Sequence, residues 1–106
     1  MTLHAESLRM GIALFVLFAA GTAFAQDDAK VAAGAEVYAT NCSPCHGQRL
    51  TNSGAIPDLR KLGSAERPKF DAMVTDGKDQ MPPWGGILSD EEIDQIWAYI
   101  RSKADN

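Results

Sequence analysis

The stretch Cys42-Ser43-Pro44-Cys45-His46, followed directly by Gly47, decides how the rest of this 106-residue chain is interpreted. Its two thiols lie three positions apart, and a histidine comes immediately after the second thiol. This spacing is typical of a site where c-type haem is attached covalently. Cys42 and Cys45 would each form a thioether with a vinyl group, and His46 would bind the iron from one side. The stretch therefore predicts one covalently bound haem c.

The composition is that of one small soluble domain. The chain is 45% hydrophobic and 23% charged, with a formal net charge of -4 and a pI near 5.0. This mildly acidic balance, without a basic cluster, argues against a nucleic-acid partner. A domain of this size buries a small core and often needs a metal or cofactor for stability. Covalent haem would meet that need.

The first 25 residues have the layout of a secretory signal peptide. Arg9 precedes an uncharged apolar run at residues 11–20, and Ala23-Phe24-Ala25 offers small residues at the two positions that signal peptidase reads. We predict cleavage after Ala25, which leaves residues 26–106 as one haem-binding domain in the periplasm. The alternative is an uncleaved membrane anchor, but the apolar run is shorter than the roughly 20 residues that a spanning helix needs. After cleavage we expect no stable membrane insertion.

Three other kinds of site could use Cys42, Cys45 and His46. A structural zinc site normally has four nitrogen or sulfur ligands, and residues 26–106 offer only these three. A thioredoxin-like redox pair is expected beside a βαβ pattern, which the sequence lacks. A disulfide would leave the histidine and the glycine after it without a role. Haem attachment is the interpretation that uses the whole stretch.

The second iron ligand is predicted by counting the candidates in residues 26–106. This segment contains one histidine, His46, and two methionines, Met73 and Met81. Met73 lies on the apolar face of a short predicted helix, where core packing is its expected role. Met81 lies in a loop before two prolines, which stiffen the backbone and favour an extended conformation at Met81. We predict Met81 as the ligand, with Met73, a lysine or an open position as alternatives.

Helical periodicity and capping signals predict an all-α fold. The first helix is predicted over Ala29–Thr40 from its apolar spacing, and residues 48–66 are predicted to be mostly irregular. A short helix is predicted to begin at Pro68. The last helix begins after Ser89, which can form a capping box with Glu92. The apolar stripe of that last helix consists of Ile93, Ile96, Trp97 and Ile100.

Several short patterns together resemble a small class I bacterial cytochrome c. In chain order they are Gly34-x-x-x-Tyr38, Cys42-x-x-Cys45-His46-Gly47, Pro57-x-Leu59, Met81-Pro82 and Ile96-x-x-Tyr99-Ile100. They span nearly all of residues 26–106, although only the haem motif is specific on its own. The resemblance implies three to four helices wrapped around one haem. It also implies that the first and last helices cross near a right angle at Gly34.

The resemblance implies further roles around the haem. Pro57 would offer its carbonyl oxygen to the ring N–H of His46, a bond that orients the imidazole and raises its basicity. Leu59 would line the haem pocket, and Trp84 would lie either against the haem or in the ordinary core. Two arginines could pair with the haem propionates or simply lie in solvent, and these are Arg49 and Arg60.

Ligation by histidine and methionine leaves no place for a substrate and raises the reduction potential. We therefore expect a monomeric one-electron carrier for redox partner proteins, not an enzyme. The sequence also resembles the cytochrome domain of quinohaemoprotein alcohol dehydrogenases, which implies a periplasmic quinoprotein dehydrogenase as donor and an oxidase or another cytochrome as acceptor. The alternatives are a haem enzyme or gas or redox sensor with a labile sixth ligand, and a haem-free thiol–disulfide protein.

Overall fold

Helices account for most of the computed structural model, which describes residues 19–51, 54 and 56–104. The α-helices in this part of the chain are α1 (Ala19–Asn41), α2 (Ser43–His46), α3 (Arg67–Asp76) and α4 (Asp90–Ser102). Short 3₁₀ turns occur at Gln48–Leu50, Leu59–Lys61 and Ser64–Glu66. The described residues form no strand, only the isolated bridges Lys78–Met81 and Gly85–Leu88. The predicted all-α fold is confirmed.

Helices α1 and α4 cross in backbone contact at Gly34. A Cβ atom on Gly34 would lie 1.8 Å from the carbonyl oxygen of Gln95 and 2.4 Å from its carbonyl carbon. No side chain fits in that space, so only glycine permits this approach. One turn further along α1, the ring of Tyr38 packs against that of Tyr99 with centroids 5.3 Å apart. The predicted contact between the first and last helices is confirmed.

The buried core lies mainly between α1, α3 and α4. We call its nine buried apolar residues the core cluster: Tyr38, Leu50, Phe70, Val74, Leu88, Ile93, Ile96, Tyr99 and Ile100. The three isoleucines belong to the predicted stripe of α4, and full burial of each side chain stabilises the fold by about 1.5–3 kcal/mol. Trp97, also in the predicted stripe, is half-buried and packs on Phe70 with ring centroids 5.0 Å apart.

Helix α4 begins with the predicted capping box. The side-chain Oγ of Ser89 accepts from the amide N–H of Glu92 at 3.1 Å, and Oε1 of Glu92 accepts from the amide N–H of Ser89 at 3.0 Å. These bonds pair two polar groups that a helix start otherwise leaves exposed. The cap sets where the loop before α4 ends, and that loop carries Met81.

Charged side chains tie the three longer helices together around Asp94 of α4. Its carboxylate forms an ion pair with Lys30 of α1 and accepts from Nη1 of Arg67 of α3 at 2.9 Å. Arg67 also donates from Nε to Asp71 at 2.7 Å and lies over the ring of Trp97, 5.8 Å from its centroid. None of these side chains is fully buried, so the network orients the helices more than it stabilises them.

The N-terminal prediction lies largely outside the described residues, because Arg9 and most of the apolar run precede residue 19. Helix α1 (Ala19–Asn41) already includes residues before the predicted start at Ala29, and it contains the predicted cleavage point after Ala25. Among the described side chains, Val31 is the first along the chain to pack against the core cluster. No helix in the described part of the chain is long and apolar enough to cross a membrane.

Candidate haem-attachment site

The Cys42–His46 stretch forms one helical turn that follows directly from α1. The amide N–H of Cys42 donates to the carbonyl oxygen of Tyr38 at 2.8 Å, and that of His46 donates to the carbonyl oxygen of Cys42 at 2.9 Å. Pro44 lies in the first turn of α2, where its missing N–H costs no hydrogen bond. Residues three and four apart share one face of such a turn. Cys42, Cys45 and His46 therefore lie on one side of the backbone.

Three of the four residues after this turn have a positive φ. Gly47 has φ 85°, Arg49 has φ 55° and Leu50 has φ 65°. Positive φ is uncommon and strained for residues with a side chain. The outcome is that Leu50 is only 1% exposed and belongs to the core cluster. The sequence did not predict this buried residue, since no periodic pattern leads to it.

The imidazole of His46 is in a state suited to metal binding. Its Nδ1 is buried and has no hydrogen-bond partner within the described residues. Burial lowers the pKa of His46, so the ring is neutral at pH 7, the form that binds metals. An unpaired buried polar atom costs about 1–3 kcal/mol. The hydrogen bond from His46 to the carbonyl of Pro57 is not formed here and stays a prediction.

The two cysteines are free thiols in different surroundings. Cys45 is exposed, whereas Cys42 is half-buried and packs against the core cluster. Burial, together with the nearby Cys45, raises the pKa of the Cys42 thiol to about 11. Cysteines that act in thiol–disulfide exchange have lowered pKa values instead. The described residues also hold no group of three or more metal-binding side chains of the kind a zinc site uses.

Met81 lies in the loop between α3 and α4, and both polar groups of its backbone are hydrogen-bonded to Lys78 of the same loop. Its amide N–H donates to the carbonyl oxygen of Lys78 at 2.9 Å, and its own carbonyl oxygen accepts from the amide N–H of Lys78 at 3.0 Å. The side chain is half-buried and packs against the core cluster. Met73 is also half-buried, but it is not among the described residues that pack there. Helix α3 therefore contributes Phe70 and Val74 to the core cluster, and not Met73 as expected.

The other predicted pocket residues fall into two groups. Leu59 and Trp84 are half-buried and pack against the core cluster, as Cys42 and Met81 do. Pro57 is exposed and lines a surface cleft of about 540 Å³. Their contact with haem stays a prediction.

The two arginines considered for the haem propionates also differ. Arg60 donates to both carboxylate oxygens of Asp58, from Nε at 3.0 Å and from Nη2 at 2.9 Å. These bonds hold the pKa of Asp58 below its usual range. Arg49 is exposed, and its backbone is in the left-handed region. Arg49 therefore lies in solvent, which is one of the two roles expected for these arginines.

Taken together, the chemistry of the donor set fits a covalent haem. Two free thiols and a neutral imidazole share one helical turn, and a methionine is held on a loop that packs against the same core cluster. Comparison with known proteins bears on the same point. Residues 29–100 match the family described as cytochrome c oxidase, cbb3-type, subunit III. The chain belongs to this cytochrome c family.

Curated relatives of this cytochrome include small proteins of similar length. It is 36% identical over 101 residues to a cytochrome c6 of Nostoc, covering 91% of this chain and 88% of the relative. It is 39% identical over 115 residues to a cytochrome c6 of Picosynechococcus, covering 92% of this chain and 94% of the relative. The predicted membership of the class I monohaem cytochromes is confirmed.

One relative is a much larger protein, and only a small part of it is similar to this chain. The cytochrome is 36% identical over 84 residues to quinohemoprotein alcohol dehydrogenase ADH-IIG of Pseudomonas putida, covering 77% of this chain. It spans only 12% of that dehydrogenase's length. Comparison with solved structures finds no significant match.

Family membership decides the cofactor and the class of activity. The cytochrome carries one covalently bound haem c and is an electron-transfer protein, not an enzyme. Such a protein exchanges electrons with redox partner proteins. These predictions from the sequence are confirmed. The identity of the haem-binding residues, the partner proteins and the cellular location stay predictions.

Proposed function

We propose that this cytochrome is a periplasmic one-electron carrier whose haem is bound by Cys42 and Cys45 and ligated by His46 and Met81. One observation carries the choice of Met81. Of the two methionines in residues 26–106, Met81 is the one that packs against the core cluster. Its backbone N–H and its carbonyl oxygen are both hydrogen-bonded to Lys78. A histidine nitrogen and a methionine thioether would form the His/Met ligand set, which raises the reduction potential of a c-type haem.

The chain's own residues would hold and orient the cofactor. Cys42 and Cys45 would supply the thioethers, and His46 and Met81 would bind the iron from opposite sides. When bound, haem supplies a one-electron couple between Fe(III) and Fe(II). A one-electron carrier held by these residues would need no acid, base or nucleophile. The protein's tasks are to hold the ligands still, to exclude water and to present a surface to partners.

The proposed periplasmic location rests on the N-terminal sequence. We divide the chain into a signal peptide at residues 1–25 and a cytochrome domain at residues 26–106. The position where core packing begins supports this division. Ala25 is exposed, as are residues 27–30, and the first described contact with the core cluster comes at Val31. Cleavage after Ala25 would therefore remove no described side chain of the core, and would leave a monomer without an anchor.

For partners, we propose a periplasmic quinoprotein dehydrogenase as donor and an oxidase or another cytochrome as acceptor. The likeness to part of a quinohaemoprotein alcohol dehydrogenase supports the donor. Exposed carboxylates lie in the loop that carries Met81 and at its two ends, and these are Asp76, Asp79, Asp90 and Glu91. With a net charge of -4, this surface favours a basic docking patch, and its attraction is screened beyond about 10 Å at 0.1 M salt.

The ligand assignment is tested with Met81→Ala and, as its matched control, Met73→Ala in the exported holoprotein. We expect Met81→Ala alone to abolish the absorption band of methionine-to-Fe(III) coordination and to let the reduced protein bind carbon monoxide. A wild-type protein that already binds carbon monoxide readily, with a spectrum that Met81→Ala leaves unchanged, would favour the alternative of a haem enzyme or sensor with a labile sixth ligand.

The attachment site and the partners need separate measurements. Cys42→Ala with Cys45→Ala should abolish covalent haem in a pyridine haemochrome assay of exported protein, and a wild type without covalent haem would contradict the assignment. Stopped-flow mixing with a reduced periplasmic quinoprotein dehydrogenase should show electron transfer whose rate falls as salt is raised. The absence of electron transfer would reject this donor. A rate that rises with salt would reject a basic docking patch.

A further inference from the structure

We propose that Gly77 is a positioning residue for Met81. Gly77 follows the last residue of α3, and its missing side chain lets residues 78–83 fold back against it. This fold-back sets where the backbone of Met81 lies and so where its sulfur can be presented. The inference rests on the proposed role of Met81 as the second iron ligand.

The contacts at Gly77 are made by the ligand segment itself. A Cβ atom on Gly77 would lie 2.6 Å from the carbonyl oxygen of Met81, 2.8 Å from the nitrogen of Pro83 and 3.0 Å from the carbonyl carbon of Pro82. All three are backbone atoms, which cannot move aside as the end of a flexible side chain could. Gly77 also has φ 73°, a conformation that favours glycine. Any larger residue here would push the backbone around Met81 away.

Backbone hydrogen bonds hold the fold-back on both sides of the contact. Lys78 and Met81 exchange two bonds, at 3.0 and 2.9 Å. After the two prolines, the amide N–H of Trp84 donates to the carbonyl oxygen of Val74 at 2.8 Å, and that of Gly85 donates to the carbonyl oxygen of Thr75 at 3.1 Å. Two of these bonds therefore attach the segment to α3, just before Gly77.

This arrangement suits ligand positioning because methionine is itself flexible. Its side chain has three rotatable bonds, so it does not fix its sulfur alone. The prolines have no N–H to donate, so the bonds at Lys78, Met81, Trp84 and Gly85 must hold the segment. Because Gly77 lets the backbone settle in advance, less conformational freedom is lost when the sulfur binds the iron.

The test compares three glycine variants of the holoprotein. Gly77→Ala introduces the clash with the Met81 segment. Gly86→Ala is the matched control, because Gly86 has φ 81° but a Cβ atom there would meet nothing within 4 Å. Gly34→Ala strains the crossing of α1 and α4. It therefore destabilises the fold at a position that is far along the chain from the Met81 loop. The readouts are the methionine-to-Fe(III) band, the reduction potential and carbon monoxide binding, each taken on protein that circular dichroism shows to be folded.

We expect folded Gly77→Ala to lose at least half of the band, to have a lower reduction potential and to bind carbon monoxide, while Gly86→Ala and folded Gly34→Ala keep the wild-type band. A full band in Gly77→Ala would overturn the proposal. Equal loss in Gly86→Ala would also overturn it, because strain from positive φ would then explain the effect. A band that Met81→Ala does not remove would instead overturn the ligand assignment, and this inference with it.

Hydrogen exchange on the wild type keeps the proposal testable if Gly77→Ala does not fold. In rising urea, the amide protons of Lys78, Met81, Trp84 and Gly85 should lose protection in the same opening that removes the band. That opening should occur at a lower urea concentration than loss of protection at Ile100 of the core cluster. Loss of the band while those four amides stay protected would overturn the proposal.

Discussion

Tyr38 donates its phenolic O–H to the carbonyl oxygen of Gly47 at 2.6 Å, which joins the end of α1 to the residue directly after His46. The side chain is only 1% exposed, and its ring also packs on Tyr99 of α4. One buried residue therefore connects the helix crossing to the haem-attachment turn. A change at Tyr38 should act on both the stability of the fold and the placement of His46.

Replacing Tyr38 with Phe should destabilise the protein by about 0.5–1.5 kcal/mol, because the partly buried hydrogen bond to the carbonyl oxygen of Gly47 is lost while the ring contact with Tyr99 is kept. Urea unfolding at pH 7 measures the difference. Tyr99→Phe is the control, since it keeps the Tyr38–Gly47 bond. Equal stability of wild type and Tyr38→Phe would show that the bond contributes nothing net.

The same residue predicts a pH dependence. Burial raises the pKa of Tyr38 from its ordinary 10.0 to about 12. A raised pKa in the folded state contributes stability that is fully present below pH 10 and is lost as the pH rises through about 12. Wild type should therefore lose more stability than Tyr38→Phe between those pH values, as measured by urea unfolding at several pH values. Parallel losses in the two proteins would contradict the prediction.

Replacing Gly34 with Ala should cost about 3 kcal/mol or more, at or above the upper end of the usual range for overpacking, because the new Cβ meets backbone atoms of Gln95. Gly63→Ala is the control, since the nearest atom to a Cβ there is 3.8 Å away and its φ is -77°. That variant should change the free energy of unfolding by less than about 1 kcal/mol. Thermal unfolding of both variants checks the pair, and a similar effect of the two would contradict close contact at Gly34.

Replacing Asp94 with Asn should destabilise by only about 0.5 kcal/mol, because its side chain is 37% exposed and solvent screens the ion pairs. Hydrogen bonds from Lys30 and Arg67 lower the pKa of Asp94. The contribution should therefore be present above the ordinary carboxyl pKa and be lost as the pH falls through the folded value. Thermal unfolding from pH 7 downward should show wild type and variant converging in acid. At pH 7, Asp71→Asn should destabilise less, because within the described residues its carboxylate pairs with Arg67 and not with Lys30.

Replacing Ser89 with Ala should cost about 1 kcal/mol, because the N–H of Glu92 loses its capping acceptor. Since the cap stands at the end of the Met81 loop, hydrogen exchange should also rise in the first turn of α4. Ser64→Ala is the control, because Ser64 is exposed and caps no α-helix. An unchanged melting temperature in Ser89→Ala would contradict a stabilising cap.

Much of the fold could be predicted because its signals are local. The capping box of Ser89 and Glu92 involves residues three apart, and the apolar stripe of α4 depends only on helical spacing. The contact at Gly34 was expected from the resemblance to a small class I cytochrome c. The start of α1 was predicted too late, because the sequence was divided at the expected cleavage point after Ala25.

The candidate site was only partly predictable, because some of its contacts depend on where distant segments meet. Leu50 follows a polar stretch, and its burial depends on two successive left-handed residues. The contact of Gly77 with the Met81 segment was not predicted, because it depends on how residues 78–83 fold back against the end of α3. A glycine four residues before the candidate ligand was the signal that could have led to it. The partnership of Lys30 with Asp94 joins residues far apart in the chain and had no sequence signal.

By itself, the sequence determined the chemistry of this cytochrome. The spacing of Cys42, Cys45 and His46, and the presence of a single histidine and two methionines after residue 25, follow from covalent order alone. Only the tertiary structure decided that Met81 packs against the core cluster, that Gly77 lies against its backbone, and that Tyr38 reaches Gly47. The reason is physical: burial and close packing depend on which distant segments exclude water together, whereas spacing along the chain reports only local geometry.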